Sequence, residues 1–176
     1  MRYSSTIRAI FDVCYTAAFK EMKIYHLHKE QFLPINIDEA WKFFSSANNL
    51  SKITPPDMGF EVLTDLKEDT IYDGMEIKYK VRPLLNIPVI WVTKIQSVQA
   101  PYSFKDIQLK GPYSLWEHTH YFETVADGVN MKDDIRYAIP FGILGRMMHG
   151  LLIKNRLAHI FDFRKKTLEQ MFRKQL

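Results

Sequence analysis

"GPYSLWEHTHYFETVADGVNMKDDIRYAI", residues 111–139, is the stretch on which the fold turns. Gly111-Pro112 opens it as a turn, and Asp127-Gly128 in its middle is a strong hairpin signal. In an extended chain, Trp116, His118, His120 and Phe122 fall on one face, and Glu117, Thr119, Tyr121 and Glu123 on the other. Beyond the turn, Met131, Asp133, Ile135 and Tyr137 share a face in the same way. The segment therefore reads as two antiparallel strands, each with one face of large side chains.

The same period of two continues upstream. In "GMEIKYKVR", residues 74–82, Met75, Ile77, Tyr79 and Val81 alternate with Glu76, Lys78, Lys80 and Arg82. "IPVIWVTKIQSVQ" (87–99) and "PYSFKDIQLK" (101–110) add two more strands, and residues 23–33 another that ends at Pro34. Between the first strand and the rest the character changes. Asn36 and Glu39 form a capping box, and Ala40, Phe43 and Phe44 follow at helical spacing. Ser46 is placed to cap a second short helix, which Pro55-Pro56 ends. From Pro140 onward the pattern is helical again. Leu144, Met147, Met148, Leu151, Leu157, Phe161, Leu168 and Met171 recur three and four apart, which predicts one unbroken helix to the C-terminus. Arg164, Lys165, Lys166, Arg173 and Lys174 gather at its end, where positive charge suits the helix dipole.

Consecutive strands joined by short turns make an antiparallel sheet rather than a parallel one. The predicted class is α+β: a curved antiparallel sheet of about six to seven strands wrapped around a long C-terminal helix, with two short helices after the first strand. The long helix is the only element large enough to cover the inner face of such a sheet, and a helix gripped this way leaves a cavity.

The chain has 176 residues, enough for one domain with a single sizeable core. Its 14% aromatic content argues against disorder. A net charge of +4 falls short of the concentrated basic stripe of a nucleic-acid binder, so no nucleic-acid partner is expected. Cys14 is the only cysteine, which excludes an intramolecular disulfide and a cysteine-based zinc cage and suits a reducing, cytoplasmic setting. No apolar run is long enough for a transmembrane helix. Residues 1–21 carry arginines and an apolar stretch, but Asp12 interrupts it and no small-residue cleavage site follows. The domain is expected to begin near Met22, with residues 1–21 an extension or an overlong translation start. A homodimer is compatible with everything above.

Several ordered stretches carry a family resemblance: "NLSKITPP" (49–56), "IPVIWVTKI" (87–95), "FKDIQLKGPYSLWEHTHYFE" (104–123), "MKDDIRYAIPFGILG" (131–145) and "IFDFR" (160–164). Together they resemble the SRPBCC superfamily, the Bet v 1/START-like helix-grip proteins, and in particular its small bacterial ligand-binding-type members. The resemblance spans residues 22–176. It implies a helix-grip fold with a ligand cavity but no particular reaction, because the superfamily includes lipid carriers, hormone receptors, polyketide cyclases and co-chaperone domains.

Among residues that bear chemistry, His118-x-His120 on a strand could direct two ring nitrogens at one point, as a zinc or iron site needs. Asp106, Asp133 and Glu117 are the candidates for further ligands, but none stands at a diagnostic spacing, so the sequence assigns no metal and requires no cofactor. Asp133 shares its face with apolar and aromatic residues, and a carboxylate there is costly unless paired. It is expected to meet a histidine, an arginine or a hydroxyl. Paired with His118 or His120 it would be a candidate acid–base couple, or else a buried bridge holding strands in register.

Asp106 and Gln108 share a strand face with Phe104, and both are expected, with His118, His120 and Asp133, among the polar groups that line the pocket and bind the ligand. Tyr79, Trp91, Trp116 and Tyr137 are placed to line the cavity, some with a polar handle. Met147 and Leu151 are expected to face it from the helix, where methionine suits an adaptable apolar wall. Gly142, Gly145 and Gly150 each cost about 1 kcal/mol in a helix interior, and allow close packing or a movable first turn. No nucleophile elbow, phosphate-binding glycine loop or His-Glu-x-x-His motif is present. The expected function is binding or carriage of a hydrophobic or amphipathic small molecule: a lipid, isoprenoid or aromatic compound. The alternatives are a cyclase, dehydratase or isomerase using a His–Asp couple of His118 or His120 with Asp133, and a protein-interaction module.

Overall fold

The computed structural model describes residues 22–66 and 70–173. The expected boundary near Met22 leaves residues 1–21, with Cys14, outside the described residues. Seven strands run β1 (Ile24–Leu33), β2 (Glu61–Val62), β3 (Glu76–Val81), β4 (Val89–Gln99), β5 (Ser103–Lys110), β6 (Leu115–Val125) and β7 (Gly128–Ala138). They form one sheet in the order β1-β7-β6-β5-β4-β3-β2, and every neighbouring pair is antiparallel. β3 to β7 follow one another as a meander, and β1 adds alongside β7 with Ile24 opposite Ala138 and Leu33 opposite Val129.

The hairpin between β6 and β7 forms where Asp127-Gly128 predicts it. Asp127 takes the left-handed backbone (φ 65°) that this turn requires. Gly128 is needed for a different reason: a Cβ there would stand 2.2 Å from the carbonyl oxygen of Leu33. Alternation then sorts the two strands. His118, His120, Phe122, Met131, Asp133, Ile135 and Tyr137 are buried. The other face carries exposed ion pairs, such as Arg136 with Glu117 at 2.8 Å.

Helix α1 (Ile37–Phe44) starts at the predicted capping box. The Glu39 amide donates to Asn36 Oδ1 at 2.8 Å, and the Asn36 amide to Glu39 Oε2 at 3.2 Å. Trp41 then packs edge-on against Phe104 and Phe122 of the sheet. The expected second short helix is a 3-10 turn, Ala47–Ile53, followed by another at Pro56–Met58. Ser46 takes the cap position, but its side chain makes no capping hydrogen bond there.

The C-terminal helix departs from the expected single run. It comprises α2 (Gly142–Met148), a π-helical turn at His149–Ile153, and α3 (Lys154–Met171). Pro140 does not start it. The chain turns through two left-handed residues, Phe141 (φ 72°) and Gly142 (φ 52°). Gly145 allows the tight return: a Cβ would lie 2.0 Å from the Pro140 carbonyl oxygen. The π turn brings His149 onto Tyr25, ring centroids 3.6 Å apart, and to the Tyr137 hydroxyl at 2.9 Å. These contacts hold the helix start beside β1 and β7, and they turn the apolar side of α2 outward.

Met147 (60% exposed) and Leu151 (67% exposed) therefore do not line the cavity, contrary to expectation. Only α3 is gripped, through Leu157, Phe161, Arg164 and Leu168 at steps of four, three and four. Among the described residues no helix is long and apolar enough to cross a membrane.

The capping box yields a simple check on this architecture. Asn36→Ala should lower stability by about 1 kcal/mol, seen as a fall of about 2–4 °C in the thermal midpoint. Asn36→Asp should retain most of it.

Candidate functional site

The register of three adjacent strands builds the site. Asp106 on β5 lies opposite His118 on β6, and His120, one step along the same face, lies opposite Asp133 on β7. All four side chains point to the inner face, so two carboxylates and two imidazoles meet with the rings 3.8 Å apart between centroids. Arg164 crosses over them from α3 and is 8% exposed.

The contacts are specific. His118 Nε2 lies 2.9 Å from Asp133 Oδ1 and His118 Nδ1 3.5 Å from Asp106 Oδ2. His120 Nε2 is 3.1 Å from the same Asp106 oxygen. His120 Nδ1 is 2.8 Å from Asp133 Oδ1, yet it lies off the hydrogen-bonding direction and has no aligned partner among the described residues. Arg164 Nη2 stands 3.4 Å from Asp133 Oδ1, and its guanidinium lies over the rings of Phe44 and Phe161. Trp116 Nε1 donates to the other Asp106 oxygen at 3.3 Å.

Burial and charge pull the titrating groups in different directions. Burial alone would raise the Asp133 carboxyl, but Arg164 and both histidines hold it well below the usual carboxylate range. Asp106 is likewise held down, against burial, by His118 and His120. Burial and the neighbouring His120 push His118 down, which favours the neutral ring. Burial also acts against charge on His120, but its contacts with Asp106 and Asp133 raise it. Of the two rings, His120 is the one on which a proton is favoured. The rings titrate as a pair.

This cluster forms part of the wall of a cavity of about 210 Å³ between sheet and helix. Of the predicted site residues, Tyr79, Trp91, Asp106, Trp116, His118 and His120 line it. Asp133 does not; it sits behind the histidines. Gln108 is spent on the turn after β5, where its amide binds the backbone of Tyr113 through both Nε2 and Oε1. Tyr137 is buried away from the cavity and engages His149. The Tyr79 hydroxyl is bound to Thr93 Oγ1 at 2.7 Å, and burial holds it protonated. Trp91 lines the cavity with its Nε1–H lacking any acceptor among the described residues.

The charge of Arg164 places it with the basic end of the helix, but it stands on the buried 157, 161, 168 spacing and reaches the cluster. Asp106, His118 and His120 have donor atoms all within 4.8 Å of one another and form the set able to hold a metal ion.

The depressed carboxyl of Asp133, facing Arg164, His118, His120 and, across the rings, Asp106, sets a pH dependence. Its contribution to stability is full above about pH 4, the ordinary carboxylate value. It is lost as pH falls toward the lower folded value. His118 and His120 shift in opposite directions and oppose each other nearer neutrality. Denaturant melts from pH 6 to pH 2 should show a steep acid loss in the native protein and a flatter profile in Asp133→Asn. Parallel profiles would contradict this assignment.

No family model and no curated protein matches the chain. Solved structures do. Norcoclaurine synthase of Thalictrum flavum, a point mutant with a transition-state analogue, aligns with TM-score 0.59 at 17% identity over 85% of this chain and 97% of that one. Protein CV1439 of Chromobacterium violaceum aligns with TM-score 0.61 at 14% identity, covering 84% and 96%. Ara h 8.0201 aligns with TM-score 0.53 at 13% identity, covering 84% and 99%. At these identities the likeness speaks to architecture, and it agrees with the strand order and gripped helix described above. The chain has the helix-grip fold, the architecture that the resemblance in its sequence implies.

Proposed function

We propose that the protein binds a compact amphipathic small molecule in the cavity between the sheet and α3. The observation that carries this reading is the pairing of an apolar cavity with a buried polar cluster in its wall. Trp91, Phe104 and Phe161 supply apolar surface, while Asp106, His118, His120 and Arg164 supply charge and hydrogen bonds. Burial of apolar area provides affinity and the few polar groups orient the ligand. At about 210 Å³ the space is smaller than the roughly 300–1,000 Å³ of drug-sized sites. An aromatic or short isoprenoid compound fits better than a full-length lipid. The free Trp91 Nε1–H favours a ligand carrying a hydrogen-bond acceptor.

Native mass spectrometry of protein from its own host, joined to a thermal-shift panel of phenols, aromatic carboxylates and isoprenoid acids, tests this. A recurrent co-purifying mass, or stabilisation by one panel class, is expected. Trp91→Phe should weaken that ligand about 2- to 10-fold, the value of one hydrogen bond. An empty protein that no compound stabilises would overturn the reading.

A second reading is favoured by one specific observation. His118 with Asp133 at 2.9 Å, and His120 with Asp106 at 3.1 Å, put His–Asp couples within hydrogen-bond reach at a cavity wall. That geometry suits proton transfer in a cyclase, dehydratase or isomerase. Exchange of carbon-bound hydrogen for deuterium in a bound carbonyl compound, lost in His118→Gln, would establish it. The same cavity weighs against a pure interaction module, for which a tightly filled interior would be expected.

A further inference from the structure

The donor atoms that converge on the cavity have a spacing of their own. Asp106 Oδ2 stands 3.1 Å from His120 Nε2 and 3.5 Å from His118 Nδ1. Zinc-bound nitrogen and oxygen ligands lie about 2.0–2.1 Å from the metal, so two corners of a tetrahedral shell stand about 3.3 Å apart. The observed separations bracket that value. All three residues line the cavity, and they offer one ligand atom each within 4.8 Å of the others.

The atoms on the far side of the same groups give the second, independent observation. His118 Nε2 is 2.9 Å and His120 Nδ1 2.8 Å from Asp133 Oδ1, behind the cavity wall. The other oxygen of Asp106 receives the Trp116 indole N–H at 3.3 Å. Each prospective ligand thus has its outer atom engaged or faced by a fixed polar group, while the inner nitrogens of both histidines converge on Asp106 Oδ2. Metal sites use this arrangement to fix ring orientation and to strengthen donors.

We propose that Asp106, His118 and His120 form a mononuclear site for a divalent first-row transition metal, with Asp133 and Trp116 orienting the ligands and the remaining position open to the cavity. Two imidazoles and one carboxylate suit zinc or ferrous iron. With neutral imidazoles, the buried charges of Asp106, Asp133 and Arg164 sum to one negative. A divalent ion turns that to one positive, which an anionic oxygen donor at the open position neutralises. A carboxylate, phenolate or enolate on the bound molecule meets that demand, and so does hydroxide. The site stands on the donor geometry alone and does not rest on the cavity reading; metal uptake and ligand binding can fail separately.

The test uses the full chain, stripped with chelator and titrated with Co2+, whose tetrahedral complexes absorb strongly in the visible. One Co2+ per chain is expected, with the absorption erased by competing Zn2+, which binds such donors more tightly. Asp106→Asn should abolish the absorption. Asp133→Asn should retain coordination but weaken it about 10- to 100-fold. His28 lies exposed with Glu30 and Asp134 as neighbours and is the obvious adventitious donor set, so His28→Ala should change nothing. If Asp106→Asn does not fold, side-chain nitrogen NMR of the native chain decides: Zn2+ should move His118 Nδ1 and His120 Nε2 and leave His28 in place. Absence of any absorption, its loss in His28→Ala, or NMR shifts confined to His28 or other exposed histidines would overturn the proposal.

Discussion

A charge buried in an aromatic interior dominates this molecule. Asp133 lies on a strand face otherwise made of Met131, Ile135 and Tyr137. Removing a carboxylate from water costs several kcal/mol after relaxation, and only close, well-placed partners recover it. The structure draws those partners from two directions. β6 contributes both histidines through strand register, and α3 contributes Arg164 through helix spacing. The carboxylate therefore ties the gripped helix to the sheet at a defined rotation, which fixes which side of α3 faces the cavity.

The grip has two mechanical halves. Toward its C-terminal end the helix is held by ordinary apolar packing, Leu168 against the cluster that includes Leu33, Phe122 and Met131. Toward its start the contacts turn polar and aromatic, with His149 stacked on Tyr25 and bonded to Tyr137. The cavity lies between them, where the sheet is too curved for α3 to fill it. The cluster places the charged side chains on one stretch of a wall otherwise made mostly of aliphatic and aromatic residues, so any occupant meets charge on one side.

Much of this was legible in the residues. Period-two alternation in 74–82 and 115–138, the Asp127-Gly128 turn and the Asn36 capping box all rest on local rules, and all hold. The sharing of one face by His118 and His120, and the need of Asp133 for a partner, followed from the same alternation. What local rules do not carry is registration between distant elements. Asp106 joins the histidines because β5 slides into one particular alignment with β6, and no spacing within either strand reports that. Arg164 was readable as one residue of a buried helical stripe, yet its charge argued for the surface, and only the Asp133 partner explains its burial. Met147 and Leu151 have helical apolar spacing that predicts burial. The left-handed turn at Phe141 and Gly142 and the π-helical turn at His149–Ile153 interrupt the single run that this spacing predicts, and Met147 and Leu151 lie exposed.

The pairing of β1 with β7 carries a consequence for how the chain comes to be folded. β1 is synthesised first among the described strands, yet its hydrogen-bonding neighbour is the last strand made. While β3 to β6 can pair with their successors as each appears, β1 must wait as an unsatisfied edge until β7 has emerged. This long-range closure raises the contact order of an otherwise local meander, and such closures are slow steps. During that interval the alternating face of β1 is open to other chains. The polar side chains on its exposed positions, His26, His28 and Glu30, are then as much a safeguard during synthesis as a feature of the finished surface.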